Sequence, residues 1–259
     1  MSSTITLEDR GHVRLIGLNR PEKRNAITFD MLGVLAQAYT DLADAPHIRC
    51  GVLHAHGSMF TAGLDLADVA PRIAAGDSIT AGARIDPWGL YAERCPKPMV
   101  VAVHGKCLTL GIELALAADI VVADETATFA QIEVARGIFP FGGATIRMAQ
   151  AGGYQNAMRW LLTGDDFDAH EALHLGLVQE VMASEDLLPR AMALAERIAR
   201  QAPLGVRATL MSARQARYEG ETAAAQALPP MVKKLLTSED AREGVRSMIE
   251  KRLGVFKGC

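Results

Sequence analysis

Two glutamates and two small-residue turns are the parts of this sequence whose types and spacing suit chemistry. Glu113 stands between Ile112 and Leu114, in a run with almost no other polar residue before Asp119. Alone, it reads as a first-turn Glu favoured by the helix dipole, or as a buried Glu paired with a base. It also reads as a desolvated carboxylate whose pKa is raised into the range of acid–base work. Glu133 follows in Phe129-Ala130-Gln131-Ile132-Glu133-Val134. Alone, it reads as a surface partner of Arg136. The segment Met59-Phe60-Thr61-Ala62-Gly63-Leu64-Asp65-Leu66 follows an expected strand. Gly63 would allow a sharp turn that brings the Leu64 N–H to a surface, and Asp65 would cap the next helix. A plain strand-to-helix turn explains the same residues. The segment from Gly105 through Leu110 and Gly111 opens an apolar helix. Unpaired N–H groups and the positive end of the dipole at such a start suit an oxyanion.

Other chemistries find little support. His54 and His56 share a strand face, but no third ligand stands at suitable spacing, so no metal is expected. There is no G-x-S-x-G elbow, no P-loop and no G-x-G-x-x-G, which argues against serine hydrolase, NTPase and nicotinamide chemistry. Cys50, Cys95, Cys107 and Cys259 are far apart and read as reduced thiols of a cytoplasmic protein. The methionines read as core filler.

Positioning these groups takes alternating strands and helices. Ile5, Leu7, Val13 and Leu15 alternate around a turn-like Glu8-Asp9-Arg10-Gly11, a hairpin pattern. Thr28 caps an expected helix with Leu32, Leu35, Ala36, Tyr39 and Leu42 on one face. Strands are expected at Ile48 to Leu53, Met99 to Val103 and Ile120 to Ala123, and a helix at Leu108 to Ala117. From Asp168-Ala169-His170-Glu171, which resembles a capping box, the pattern turns helical: Leu187 to Arg200, Leu204 to Tyr218, and Ser238 to Leu253 with Ser238 as cap. The expected class is α/β with a helical tail. Residues 67–95, punctuated by Gly76, Gly82, Pro87 and Gly89, read as a long functional insertion.

The chain has 259 residues, 27 Lys+Arg and 30 Asp+Glu, for a net charge of −3. That balance argues against a polyanion as partner, whether nucleic acid or anionic membrane. With 49 % hydrophobic and 22 % charged residues it reads as globular. No stretch of about 18 apolar residues suggests a membrane span, and no signal peptide is expected at the N-terminus. The last 28 residues, from Val232, carry seven basic residues against four acids. With Lys23 and Arg24 this suits a small phosphorylated ligand and is too little for a nucleic-acid tract.

The ordered set of motifs resembles the crotonase superfamily, the enoyl-CoA hydratase/isomerase family. Leu18-Asn19-Arg20-Pro21-Glu22-Lys23-Arg24-Asn25-Ala26 is similar to its opening signature. Phe60 to Leu66 and Gly105 to Asp119 resemble its two oxyanion-hole motifs. Gln131-Ile132-Glu133, Gly137 to Pro140, Leu162 to Asp165, Gly176 to Val178 and the tail continue the match along nearly the whole chain.

The resemblance implies a spiral of ββα units over residues 1–197 and a helical trimerisation region over 198–259. It implies an enoyl-CoA hydratase that adds water across a trans-2-enoyl-CoA. The implied catalytic groups are the Glu113 and Glu133 carboxyls and the Leu64 and Leu110 N–H groups. The implied coenzyme A contacts are Lys23, Arg24, Ala26, Ala62, Gly63, Asp65, Leu66 and Lys251, the last serving its own or a neighbouring subunit's site. No metal or separate cofactor is implied, since coenzyme A is part of the substrate. The partner is an acyl-CoA thioester, with no nucleic acid and no membrane, in a homotrimer or homohexamer. Isomerisation, acyl-CoA hydrolysis and non-catalytic acyl-CoA binding are the alternatives, and the pair of glutamates favours hydration. Two departures bear on the substrate. Thr109-Leu110-Gly111 stands where hydratases usually have a glycine run, and Phe141 follows Pro140 where glycine is common. Pro87, Trp88, Leu90 and Tyr91 are expected to line the acyl pocket.

Overall fold

A computed structural model describes residues 3–80 and 82–259. The observed class is α/β, and the site is built where a large sheet gives way to a small one. The hairpin strands β1 (Ile5–Arg10) and β2 (Val13–Leu18) are antiparallel. Glu8, Asp9 and Arg10 lie inside β1, so the turn falls later than their polarity suggests. Their side chains face solvent on an edge strand, where polar residues are tolerated. Helix α1 (Phe29–Asp44) starts as expected, with Thr28 Oγ1 accepting the Met31 N–H at 3.2 Å.

Next come β3 (Cys50–Ala55), α2 (Leu66–Ala74), β4 (Met99–Val103) and β5 (Lys106–Leu108). Helix α3 (Leu110–Ala117) follows, then β6 (Ile120–Asp124), β7 (Thr128–Ala130), α4 (Ala144–Gly152) and α5 (Tyr154–Thr163). The helix expected from Leu108 begins two residues later because Leu108 is bound into β5. The chain closes with β8 (Phe167–Asp168), α6 (Ala169–His174), β9 (Glu180–Met182), α7 (Ser184–Ala199), α8 (Pro203–Glu219), α9 (Glu221–Leu236) and α10 (Glu239–Ile249). Asp168 and Ser238 cap α6 and α10 through the N–H groups of Glu171 and Ala241.

The large sheet runs β1-β2-β3-β4-β6-β9, parallel from β2 onward. The small one runs β5-β7-β8. Alternation along the parallel strands sorts two cores. Val13, Leu15, Cys50, Val52, Val100, Ala102 and Val122 face Leu187, Ala191, Met192 and Ala195 of α7. Ile16, Leu18, Leu53, Met99, Val101, Val103 and Ala123 join the core shared with α1 and α3. A strand buried on both faces must read as a continuous apolar run, as Met99 to Val103 does. Each buried Val or Leu contributes roughly 1.5–3 kcal/mol. The two sheets thereby become a rigid support for the turns at their edges.

Candidate active site

Two turns, distant in sequence, lie side by side. Thr61 and Cys107 form a parallel bridge, with Thr61 N donating to Lys106 O at 3.1 Å and Leu108 N to Thr61 O at 3.0 Å. The Thr61 hydroxyl donates to Asn25 O at 2.6 Å and accepts the Gly63 N–H at 3.0 Å. Gly63 turns at φ 91°, and a Cβ there would collide with the Thr109 Oγ. Gly63 is therefore required twice, for its left-handed backbone and for the close approach of the second turn. After these turns come Leu64 and Leu110. Among the described residues neither backbone N–H donates to a partner in the chain. Leu110 opens α3, so its N–H is one of the free donors of a helix start.

The opening loop is fastened to the first turn. Asn25 is fully buried. Its amide donates to His56 O and Met59 O at 2.8 and 2.9 Å, and its Oδ1 accepts the Arg20 N–H at 2.8 Å. Leaving such buried partners unpaired costs about 1–3 kcal/mol each. Ala62 N donates to Arg24 O at 2.9 Å. These bonds place Lys23, Arg24 and Ala26 at the rim of the cavity that Ala62 and Leu64 enter. Asp65 does not cap α2. Its carboxylate is held instead by Arg20 Nη1 at 2.9 Å, so the charge pair outcompetes the cap.

Leu64, Leu110, Glu113 and Glu133 line one cavity of about 590 Å³, which Lys23, Arg24, Ala26, Ala62, Asp65 and Leu66 also line. Gly63, between Ala62 and Leu64, does not itself line it. Ile132, Ile138 and Phe141 add apolar surface, and Arg136 and Thr109 also reach it.

Glu113 is 2 % exposed, in the first turn of α3. Burial pushes its carboxyl above the usual range, opposed by backbone N–H groups of Ala144, Gly142 and Gly143 and by the Arg147 charge. The Ala144 N–H reaches Glu113 Oε1 at 3.1 Å, which sets the carboxylate on the N-terminus of α4. Fixed donors and a helix dipole there favour its charged form. A Cβ on Gly142 would collide with the same carboxylate.

Glu133 opens a short 3-10 turn and is buried. It forms no pair with Arg136, which is exposed. Burial, reinforced by the nearby Glu113 charge, pushes the Glu133 carboxyl up to about 7. The side-chain amide of fully buried Gln131 lies against Glu133, and assigning its nitrogen to the facing side lets it donate to both carboxyl oxygens at 2.8 and 2.9 Å, where its oxygen would meet only acceptors. Gln131 was visible only as part of a motif; its role depends on a turn that no local pattern announces.

Two expectations need correction or relocation. Trp88 is fully buried in the core, and none of Pro87, Trp88, Leu90 and Tyr91 lines the cavity. Their loop is wound around Asp86, whose carboxylate accepts the N–H groups of Trp88, Leu90 and Tyr91. Tyr91 reaches the site only from behind, donating to Phe141 O at 2.6 Å. Lys251 is exposed beyond α10 and does not line this chain's cavity. His54 and His56 stand edge to face at 5.0 Å, and Thr6 Oγ1 occupies His56 Nε2 at 2.8 Å.

Comparison with known proteins gives a consistent picture. A sequence profile described as enoyl-CoA hydratase/isomerase matches residues 8–259. An enoyl-CoA hydratase of Mycobacterium tuberculosis is 35% identical over 255 residues, 97% of this chain and 95% of its own length. The 2,3-dehydroadipyl-CoA hydratase of Escherichia coli is 33% identical over 99% of each chain. A crystal structure described as a probable enoyl-CoA hydratase/isomerase from Mycobacterium abscessus superposes with a TM-score of 0.96 at 53% identity, covering 99% of both chains.

Proposed function

The chain belongs to the enoyl-CoA hydratase/isomerase family, and from that premise we propose that it hydrates trans-2-enoyl-CoA to 3-hydroxyacyl-CoA through Glu113 and Glu133. The observation that carries this reading is the meeting of two buried carboxyls and two unpartnered backbone N–H groups in one cavity. The Leu64 and Leu110 N–H groups bind the thioester oxygen and stabilise the enolate charge as it develops. Preorganised donors of this kind contribute roughly 3–4 kcal/mol each. Glu113, surrounded by N–H donors, is the base. It takes a proton from water as the water oxygen bonds to the β-carbon and the double-bond electrons move onto the thioester. Glu133, whose carboxyl is pushed up to about 7 and so stays in part protonated near neutral pH, delivers its proton to the α-carbon. Water is thus added across the double bond, and each positioned group contributes about 10²–10⁴ in rate.

The thioester is the electron sink, so the scheme needs no further cofactor or metal. Lys23 and Arg24 suit the phosphates of coenzyme A, with Ala26, Ala62, Gly63, Asp65 and Leu66 shaping its path. The four cysteines are unpaired, which suits a reducing cytoplasm.

The assay is direct. Loss of enoyl-thioester absorbance with crotonyl-CoA, or a longer or aromatic enoyl-CoA, is expected, with a hydroxyacyl product by mass. No loss with any of them would overturn the hydratase reading, and release of free thiol would favour hydrolysis.

Residues 1–197 are read as the catalytic core and 198–259 as the region that assembles a homotrimer or a dimer of trimers. An apolar groove beside α8 and α9, with Leu204, Leu210, Met211, Met231 and Leu235, supports that reading. So do Met248, Ile249 and Leu253, each more than two-thirds exposed. In a trimer the exposed Lys251 is free to serve a neighbour's coenzyme A. Light scattering should give three or six chains per particle; a monomer at micromolar concentration contradicts this.

A further inference from the structure

Thr109 has no part in the scheme above, yet it sits where only a reason would keep it. It is a β-branched residue at φ 47° and ψ −114°. That is a true outlier for its type, and such residues persist where the surroundings over-determine them, most often at functional sites. Here the surroundings do so. Its N–H donates to Ala130 O at 2.9 Å, and its carbonyl accepts the Ile112 and Glu113 N–H groups at 2.9 and 3.3 Å. A glycine would satisfy all three bonds without strain, so the side chain itself needs an explanation.

The side chain lies between the two turns. Its hydroxyl abuts Gly63, the residue before one free N–H, and Thr109 directly precedes Leu110, which carries the other. Thr109 is half-buried on the cavity wall, and among the described residues its Oγ forms no hydrogen bond. A hydroxyl is a donor that can rotate toward whichever acceptor arrives. The acceptor that the neighbouring N–H groups await is an oxygen gaining negative charge. We propose that the Thr109 hydroxyl is a third donor to the thioester oxygen, beside the Leu64 and Leu110 N–H groups. This rests on the hydratase reading and deepens it.

The test uses T109V, T109G and T109S in the full chain. An aromatic enoyl-CoA is bound to each, and the red shift of its absorbance reports how strongly the carbonyl is polarised. T109V and T109G should show a smaller red shift than the wild type. Their kcat should fall about 10²- to 10³-fold with KM within a few-fold, and T109S should restore both. T109G should also melt higher than the wild type, because glycine suits the backbone. Stability and activity then move in opposite directions, and recovery in T109S separates a lost hydroxyl from a loosened Leu110 N–H. Full red shift and full kcat in T109G overturns the proposal, and T109G carries the test even if T109V fails to fold. A wild type that shifts the spectrum and hydrates nothing would count against the hydratase reading instead. The comparison of red shifts would still decide the hydroxyl.

Discussion

Glu133→Gln should lower kcat by about 10²–10⁴-fold while leaving affinity for the hydroxyacyl-CoA product within a few-fold. Glutamine keeps the shape and, through its one amide oxygen, one of the two contacts with Gln131, but it has no acidic proton to give. The same substitution should stabilise the protein at alkaline pH. Glu133 ionises at about 7 in the fold and at an ordinary 4.5 in the unfolded chain. Below pH 4.5 folded and unfolded states both hold the proton, and the group costs nothing. Between 4.5 and 7 the folded state retains a proton that the unfolded state has released, so stability falls as pH rises. Above 7 the full cost of burying the charge remains. Glutamine never ionises, so the variant should melt above the wild type at about pH 8, and the gap should shrink toward about pH 5. Activity should decline as pH rises past 7, when the acid form is lost. Product titrations and melts at both pH values check this. A variant within tenfold of wild-type kcat, or a melting gap that ignores pH, would remove Glu133 from the acid's role.

Gly142→Ala tests the other carboxyl by crowding it. The added methyl would occupy the position of the Glu113 carboxylate. That carboxylate is 2 % exposed and bonded to the start of α4, so the methyl would push it off that bond toward the cavity it lines. Overpacking of this kind costs typically about 1–3 kcal/mol. The backbone raises no objection, because Gly142 is not among the residues with positive φ. Misplacement by about 1 Å costs around 10²-fold in rate, so kcat/KM should fall by at least that much. Binding of free coenzyme A, which the proposed scheme assigns to Lys23 and Arg24, should be little changed. Full activity in this variant would mean that Glu113 does not act from its observed position.

What could be read from the sequence was local. Thr28, Asp168 and Ser238 cap helices through neighbours three residues on, so their hydroxyl or carboxyl is enough to announce them. Met99 to Val103 is apolar because both its faces are covered, and its limits coincide with β4. Both glutamates and both turns lay in motifs that survive as short strings. The misses are tertiary. Asp65 looks like a cap until Arg20, far away in sequence, claims it. Trp88 and Tyr91 look like pocket lining until Asp86 winds their loop away from the cavity. Helix α9 continues through Pro229 and Pro230, which interrupt the pattern a helix is recognised by. The contacts of Gln131 with Glu133, and of Gly142 with Glu113, exist only once the two sheets are assembled.

The two donors at Leu64 and Leu110 belong to the main chain, and that has a consequence for heredity. A point mutation exchanges a side chain; it cannot delete an N–H unless it introduces proline. In the proposed scheme these two donors are therefore sheltered from side-chain exchange in a way that the Thr109 hydroxyl is not. Ile132, Ile138 and Phe141, which line the same cavity, have no such shelter. Lineages descending from this chain can drift toward new acyl groups through those residues while inheriting the same reaction.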